Sequence, residues 1–96
     1  MSLHSYSARR DRNERQIVDG LRSMGALVIR LQVVDLLVLY RDQLYMIEVK
    51  TDTGRLTRTQ QKMTEEGWPI HIARSLPAAL RVLMGDGAKR SMKDLE

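Results

Sequence analysis

The spacing of apolar positions changes several times along this chain, and each change marks an element. Ile17, Val18, Leu21 and Met24 recur at helical intervals, which predicts a helix from about Asp11 to Met24, stopped by Gly25. Gly20 inside it costs about 1 kcal/mol relative to alanine and suits a close packing partner. Residues 1–8 before it are polar and read as a frayed lead-in. "ALVIRL" (26–31) and "VVDLLVLY" (33–40) then read as strands, the second interrupted only by Asp35. Arg41, Asp42 and Gln43 have the polarity of a hairpin turn, and "LYMIEVK" (44–50) is the return strand.

After the loop "TDTG" (51–54), Thr57 and Gln60 have the spacing of a capping box, opening a second helix that ends at Gly67. Pro69 leads into a short strand, "IHIA" (70–73). Ser75 caps a third helix carrying Leu76, Leu80, Leu83 and Met84, with Gly85 at its end. From Asp86 onward the chain is polar and without period. The order α-β-β-β-α-β-α describes one α/β domain over residues 1–96, a small mixed sheet flanked by helices. Its ordered core is expected at about 10–84, with a basic tail at 85–96.

Composition narrows the function. With no cysteine, disulfides, zinc–thiolate sites and thiol catalysis are excluded, which suits a reducing compartment. No apolar run reaches the length of a membrane span, so a soluble cytoplasmic protein is expected, with no membrane partner. Net charge is +4, carried by twelve arginines against four lysines. Arginine's planar fork matches phosphate oxygens better than lysine's point charge does. Arg9, Arg10, Arg12 and Arg15 crowd the N-terminal region, and Lys89, Arg90 and Lys93 the C-terminal one. A polyanionic partner is one reading; a solvated basic surface is the plainer alternative.

The chemistry centres on "MIEVK". Alternate strand residues share a face, so Met46, Glu48 and Lys50 point one way and Ile47 and Val49 the other. A hairpin loop of two or four residues puts Asp35 across from Lys50 and diagonal to Glu48, on the same face. A three-residue loop puts it on the opposite face. Diagonal neighbours lie roughly 7–8 Å apart, near enough for two carboxylates to share a cation. The structural alternative is an ion pair of Asp35 with Lys50, and Glu48 on an exposed strand edge.

Asp35 in "VVD" followed by "IEVK" resembles the PD-(D/E)xK nuclease superfamily. Adding Glu14 in "RNERQIVDGLRSMGA" and Gln60 in "LTRTQ", residues 10–84 resemble the VRR-NUC (virus-type replication-repair nuclease) family in its minimal stand-alone form. The family's proline before the metal-binding Asp is replaced by Val34. The resemblance implies a restriction-endonuclease-like core in a phage- or bacterium-encoded DNA endonuclease. Asp35, Glu48 and the Val49 carbonyl would hold Mg²⁺, with Mn²⁺ able to substitute. Lys50 would serve the attacking water, Glu14 would be an outer metal-site acid, and Gln60 would orient near Lys50. From the residues alone, Glu14 also reads as a helix-start partner of Asp11, and Gln60 as the capping-box partner of Thr57.

Arg9, Arg10, Arg12, Arg15, Arg55 and Arg58 are the candidates for DNA contact. The resemblance further implies a homodimer acting on branched DNA, four-way junctions first. Trp68, Ile70, Leu80, Leu83 and Met84 are the candidate interface, unless they close the monomer's own core. Trp68 otherwise reads as a core anchor. Asp52 and Gly54 read as ordinary turn residues. The rival class is a non-catalytic nucleic-acid-binding module with a structural Asp/Glu/Lys cluster.

Overall fold

The computed structural model describes the main chain of residues 2–86 and the side chains of residues 11–85. The stretch holding Lys89, Arg90 and Lys93, and the side chains of Arg9 and Arg10, lie outside the described residues. The elements are α1 (Ser2–Ser23), β1 (Leu27–Arg30), β2 (Leu36–Tyr40), β3 (Gln43–Val49), α2 (Arg58–Glu66), β4 (Ile70–Ala73) and α3 (Leu76–Arg81). A π-helical turn, Val82–Asp86, follows α3. The order is the one the hydrophobic pattern predicts. No helix among the described residues is long and apolar enough to cross a membrane.

Two boundaries differ from expectation. The first helix begins at Ser2, where the sequence suggested a frayed lead-in to about residue 8. No proline or glycine interrupts it before Gly20, and once the Ile17–Leu21 turns are held by packing, extension costs little per residue. The second strand begins at Leu36, where Val33 was expected. Residues 32–35 bend instead, and the Leu31 N–H closes the bend by donating to the Asp35 carbonyl at 2.8 Å. Val34 turns into the core while Val33 stays 55% exposed.

The four strands form one sheet in the order β1-β2-β3-β4, antiparallel except for the parallel β3–β4 pair. On one face Val28, Leu36, Val38, Tyr45, Ile47, Val49 and Ala73 meet Ile17, Val18 and Leu21 of α1, with Ala79 and Leu83 closing the cluster. Two helices cross at Gly20: a Cβ there would lie 2.5 and 2.6 Å from the Leu76 methyl carbons, so a larger residue would force the Leu76 side chain to shift. The other face is open toward the hairpin. Leu27, Ile29, Leu39 and Leu44 are between 37% and 66% exposed there. With Leu37 they line a shallow apolar hollow of about 110 Å³.

The hairpin turn has two residues, Arg41 at φ 51° and Asp42 at φ 66°. Both occupy the left-handed region, where a side chain is unfavourable and Asn-Gly or Asp-Gly is the preferred pair. The Arg41 guanidinium stacks 5.1 Å above the Tyr40 ring, which offsets part of that cost. Asp42→Gly should therefore raise stability by roughly 0.5–1 kcal/mol. Urea unfolding measures this, and an unchanged or lower midpoint would show that the turn stores no strain.

Candidate active site

The β2–β3 register runs from Tyr40↔Gln43 to Leu36↔Ile47. One step further it sets Asp35 opposite Glu48. The even-length turn keeps the two on one side of the sheet, but the expected position across from Lys50 is corrected. The turn consists of Arg41 and Asp42, so Gln43 already belongs to the strand and the pairing moves along β3.

Where β2 gives way to the bend, the acids complete the ladder. The Asp35 N–H donates to Glu48 Oε1 at 3.1 Å, and the Val49 N–H donates to Asp35 Oδ2 at 2.9 Å. Glu48 Oε2 lies 3.1 Å from Lys50 Nζ, and these side chains are only 8% and 15% exposed. Glu48 thus forms an ion pair with Lys50, and Glu48 is buried rather than on an exposed edge. Low exposure strengthens the attraction and makes loss of either partner costly.

Two residues hold this cluster in ways the pattern did not announce. Gly54 lies against the lysine stem: a Cβ there would be 3.0 Å from Lys50 Cδ. Its turn closes by the Gly54 N–H donating to the Thr51 carbonyl at 3.2 Å. A glycine four residues after the strand-end lysine was the available signal. Gln60, 4% exposed, completes the capping box, its Oε1 accepting from the Thr57 N–H at 3.0 Å. Its Nε2 donates to the Val33 carbonyl at 2.7 Å, tying α2 to the bend that carries Asp35. These contacts set Gln60 on the bend, two residues before Asp35.

Glu14 is drawn elsewhere, with Oε2 3.2 Å from Arg30 Nε. Among the described residues no group of three or more acidic, histidine or cysteine side chains converges, so Asp35 and Glu48 are the two acids brought together. Two carboxylates are hard oxygen donors, and each carboxylate oxygen carries two lone pairs. Mg²⁺ commonly uses one or two carboxylates and takes its remaining ligands from water or phosphate, so this donor set fits it. Val49, whose carbonyl was the further expected ligand, is 1% exposed and has its N–H held by Asp35.

Arg12, Arg15, Arg55 and Arg58 are all exposed. Arg74, which sequence reasoning did not single out, is also exposed, directly after β4. The Lys50 N–H donates to the Ala73 carbonyl at 3.1 Å, so Arg74 follows the strand end that Lys50 leaves. The expected dimer patch is broken up: Leu83 is buried, Leu80 packs against the core, and Trp68 and Met84 are 52% and 54% exposed. Trp68 is therefore no core anchor. The larger exposed apolar surface is the sheet face around Leu27, Ile29 and Leu44.

No family model, no curated protein and no solved structure matches the chain.

Proposed function

We propose that this chain is a metal-dependent DNA endonuclease with a restriction-endonuclease-like core of the VRR-NUC kind, acting on branched DNA. The observation that carries the reading is the cluster of Asp35, Glu48 and Lys50, two acids and an ammonium held together where β2 begins and β3 ends. Asp35 and Glu48 would hold the ion. Bound there, Mg²⁺ or Mn²⁺ supplies Lewis acidity toward a water molecule and toward the phosphoryl oxygens.

The chain's own groups do the rest. Lys50, aimed by Glu48 and with its stem against Gly54, would orient the attacking water and offset charge developing on the phosphate. Gln60 keeps the bend in place, and with it Asp35. Glu14 is paired with Arg30, so the ion would rest chiefly on Asp35 and Glu48. Arg9, Arg10, Arg12, Arg15, Arg55 and Arg58 would contact the sugar–phosphate backbone, giving salt-sensitive binding without base readout.

A second copy would dock through the sheet face at Leu27, Ile29, Leu39 and Leu44, giving two sites for the paired cuts of a four-way junction. Sedimentation at micromolar protein should give twice the monomer mass, and Leu44→Lys should return it to the monomer value. A monomeric wild type removes the dimer from the proposal. The function itself is tested by incubating labelled junction, flap, duplex and single-stranded DNA with the protein in Mg²⁺, Mn²⁺ or EDTA. Nicked products that need the metal support the reading. Intact strands, bound equally with metal or chelator, leave a DNA-binding module with a structural ion cluster.

A further inference from the structure

A polar cleft of about 260 Å³ opens where the chain leaves Lys50, lined by Arg12, Asn13, Gln16, Thr51, Asp52 and Arg74. It forms where the parallel strands β3 and β4 end and α1 passes over them, and crevices at the carboxyl ends of parallel strands commonly take ligands. Asn13 Nδ2 reaches the carbonyls of Lys50 at 3.4 Å and Arg74 at 3.5 Å, pinning the helix to both strand ends. On one wall, Arg74 Nη1 donates to the carbonyls of Thr51 at 2.6 Å and Asp52 at 3.2 Å. These two bonds fix the guanidinium and leave its other N–H groups for a ligand. Arg12 stands on the helix wall.

From this arrangement we infer that the cleft is a phosphate subsite, taking a backbone phosphodiester next to the one cut at Asp35, Glu48 and Lys50. The inference rests on the nuclease reading for its substrate, but the anion site stands on its own chemistry. Neither Arg12 nor Arg74 is in an ion pair among the described residues, although Asp52 lines the same cleft. Two cations against one carboxylate leave it net positive. An arginine oriented by carbonyls loses little freedom on meeting a phosphate, which its fork matches in two contacts. No aromatic side chain lines the cleft, so it offers a base nothing to stack on and favours the backbone. Thr51 directly follows Lys50, so a phosphate seated here would set the register of the strand relative to the cluster.

The test uses the full chain, isotope-labelled and free of divalent metal, titrated with inorganic phosphate and followed by NMR. Saturable shifts are expected at Asn13, Thr51, Asp52 and the Arg74 side chain, and junction DNA should displace them. Arg12→Gln, an exposed change that spares the main-chain contacts of Arg74, should weaken phosphate binding at least about fivefold. It should also lower the salt slope of DNA binding by about one unit. Shifts that are absent, spread evenly over the basic surface, or unchanged in Arg12→Gln overturn the subsite. Cleavage is scored separately: a wild type that cuts DNA without a phosphate response keeps the nuclease and loses the cleft. One that binds phosphate here without cutting in Mg²⁺ loses the nuclease and keeps the anion site.

Discussion

Asp35→Asn and Glu48→Gln should each slow cleavage of branched DNA at least about 100-fold, a loss of roughly 3 kcal/mol in transition-state stabilisation. Each change keeps the shape and the acceptor oxygen while removing the charge. Asp35→Asn can still accept from the Val49 N–H, and Glu48→Gln from the Asp35 N–H. Asp35→Asn should therefore keep the fold, while Glu48→Gln, which leaves Lys50 without its anion, should also lower the melting midpoint and is assayed well below it. DNA affinity measured in EDTA should stay within about threefold, because phosphate contacts on the arginine surface dominate binding. Single-turnover cleavage and a binding titration on the same preparations decide the matter. A charge-neutral variant cutting at the wild-type rate would sink the assignment of these acids.

The second large effect is on stability and concerns the ammonium. Lys50→Met keeps an unbranched stem against Gly54 but leaves Glu48, 8% exposed, without its cation. Breaking one side of a buried pair costs about 3 kcal/mol, which in a domain this small lowers the melting midpoint by on the order of 10–20 °C. Removal of the positive charge should also strengthen the acids' hold on a divalent ion. Adding Mg²⁺ at millimolar concentration should then recover more of the midpoint in Lys50→Met than it adds to the wild type, since only the folded chain presents the site. Thermal unfolding in Mg²⁺ against EDTA reads this directly. Equal midpoints in both buffers, for both proteins, would mean that Asp35 and Glu48 hold no ion.

The sequence made some of this legible because local chemistry coincides with the final packing. Gly25 and Gly67 stop their helices with positive φ, at 95° and 112°, as their spacing after the apolar runs implied. Thr57 and Gln60 form the box their four-residue pattern announces. Gly20 permits the close helix contact expected of it, with Leu76 as the partner. What stayed hidden depends on choices made between distant segments. Pattern alone does not decide which residue of Arg41, Asp42 and Gln43 joins the strand, and that choice sets the residue Asp35 faces. Val33 and Asp35 read as strand because β-branched and apolar neighbours surround them; tertiary contacts, including the Gln60 amide on Val33, accompany the bend instead. Arg74 was silent because its meaning arises only when β4 lies parallel to β3 and brings it beside Thr51.

The reciprocal bonds between Asp35, Glu48 and Val49 have a consequence for how descendants of this chain would decay. Each acid serves the architecture as well as the proposed chemistry, so a lineage that stopped cutting DNA would still be selected to keep both. Their survival would then report folding, not activity. Arg12 carries no such second duty: it lies on the surface and pairs with no acid among the described residues. If the proposed activity were lost, the loss would be written first at Arg12, and a copy with intact acids and a neutral residue there would be a fossil of the proposed nuclease.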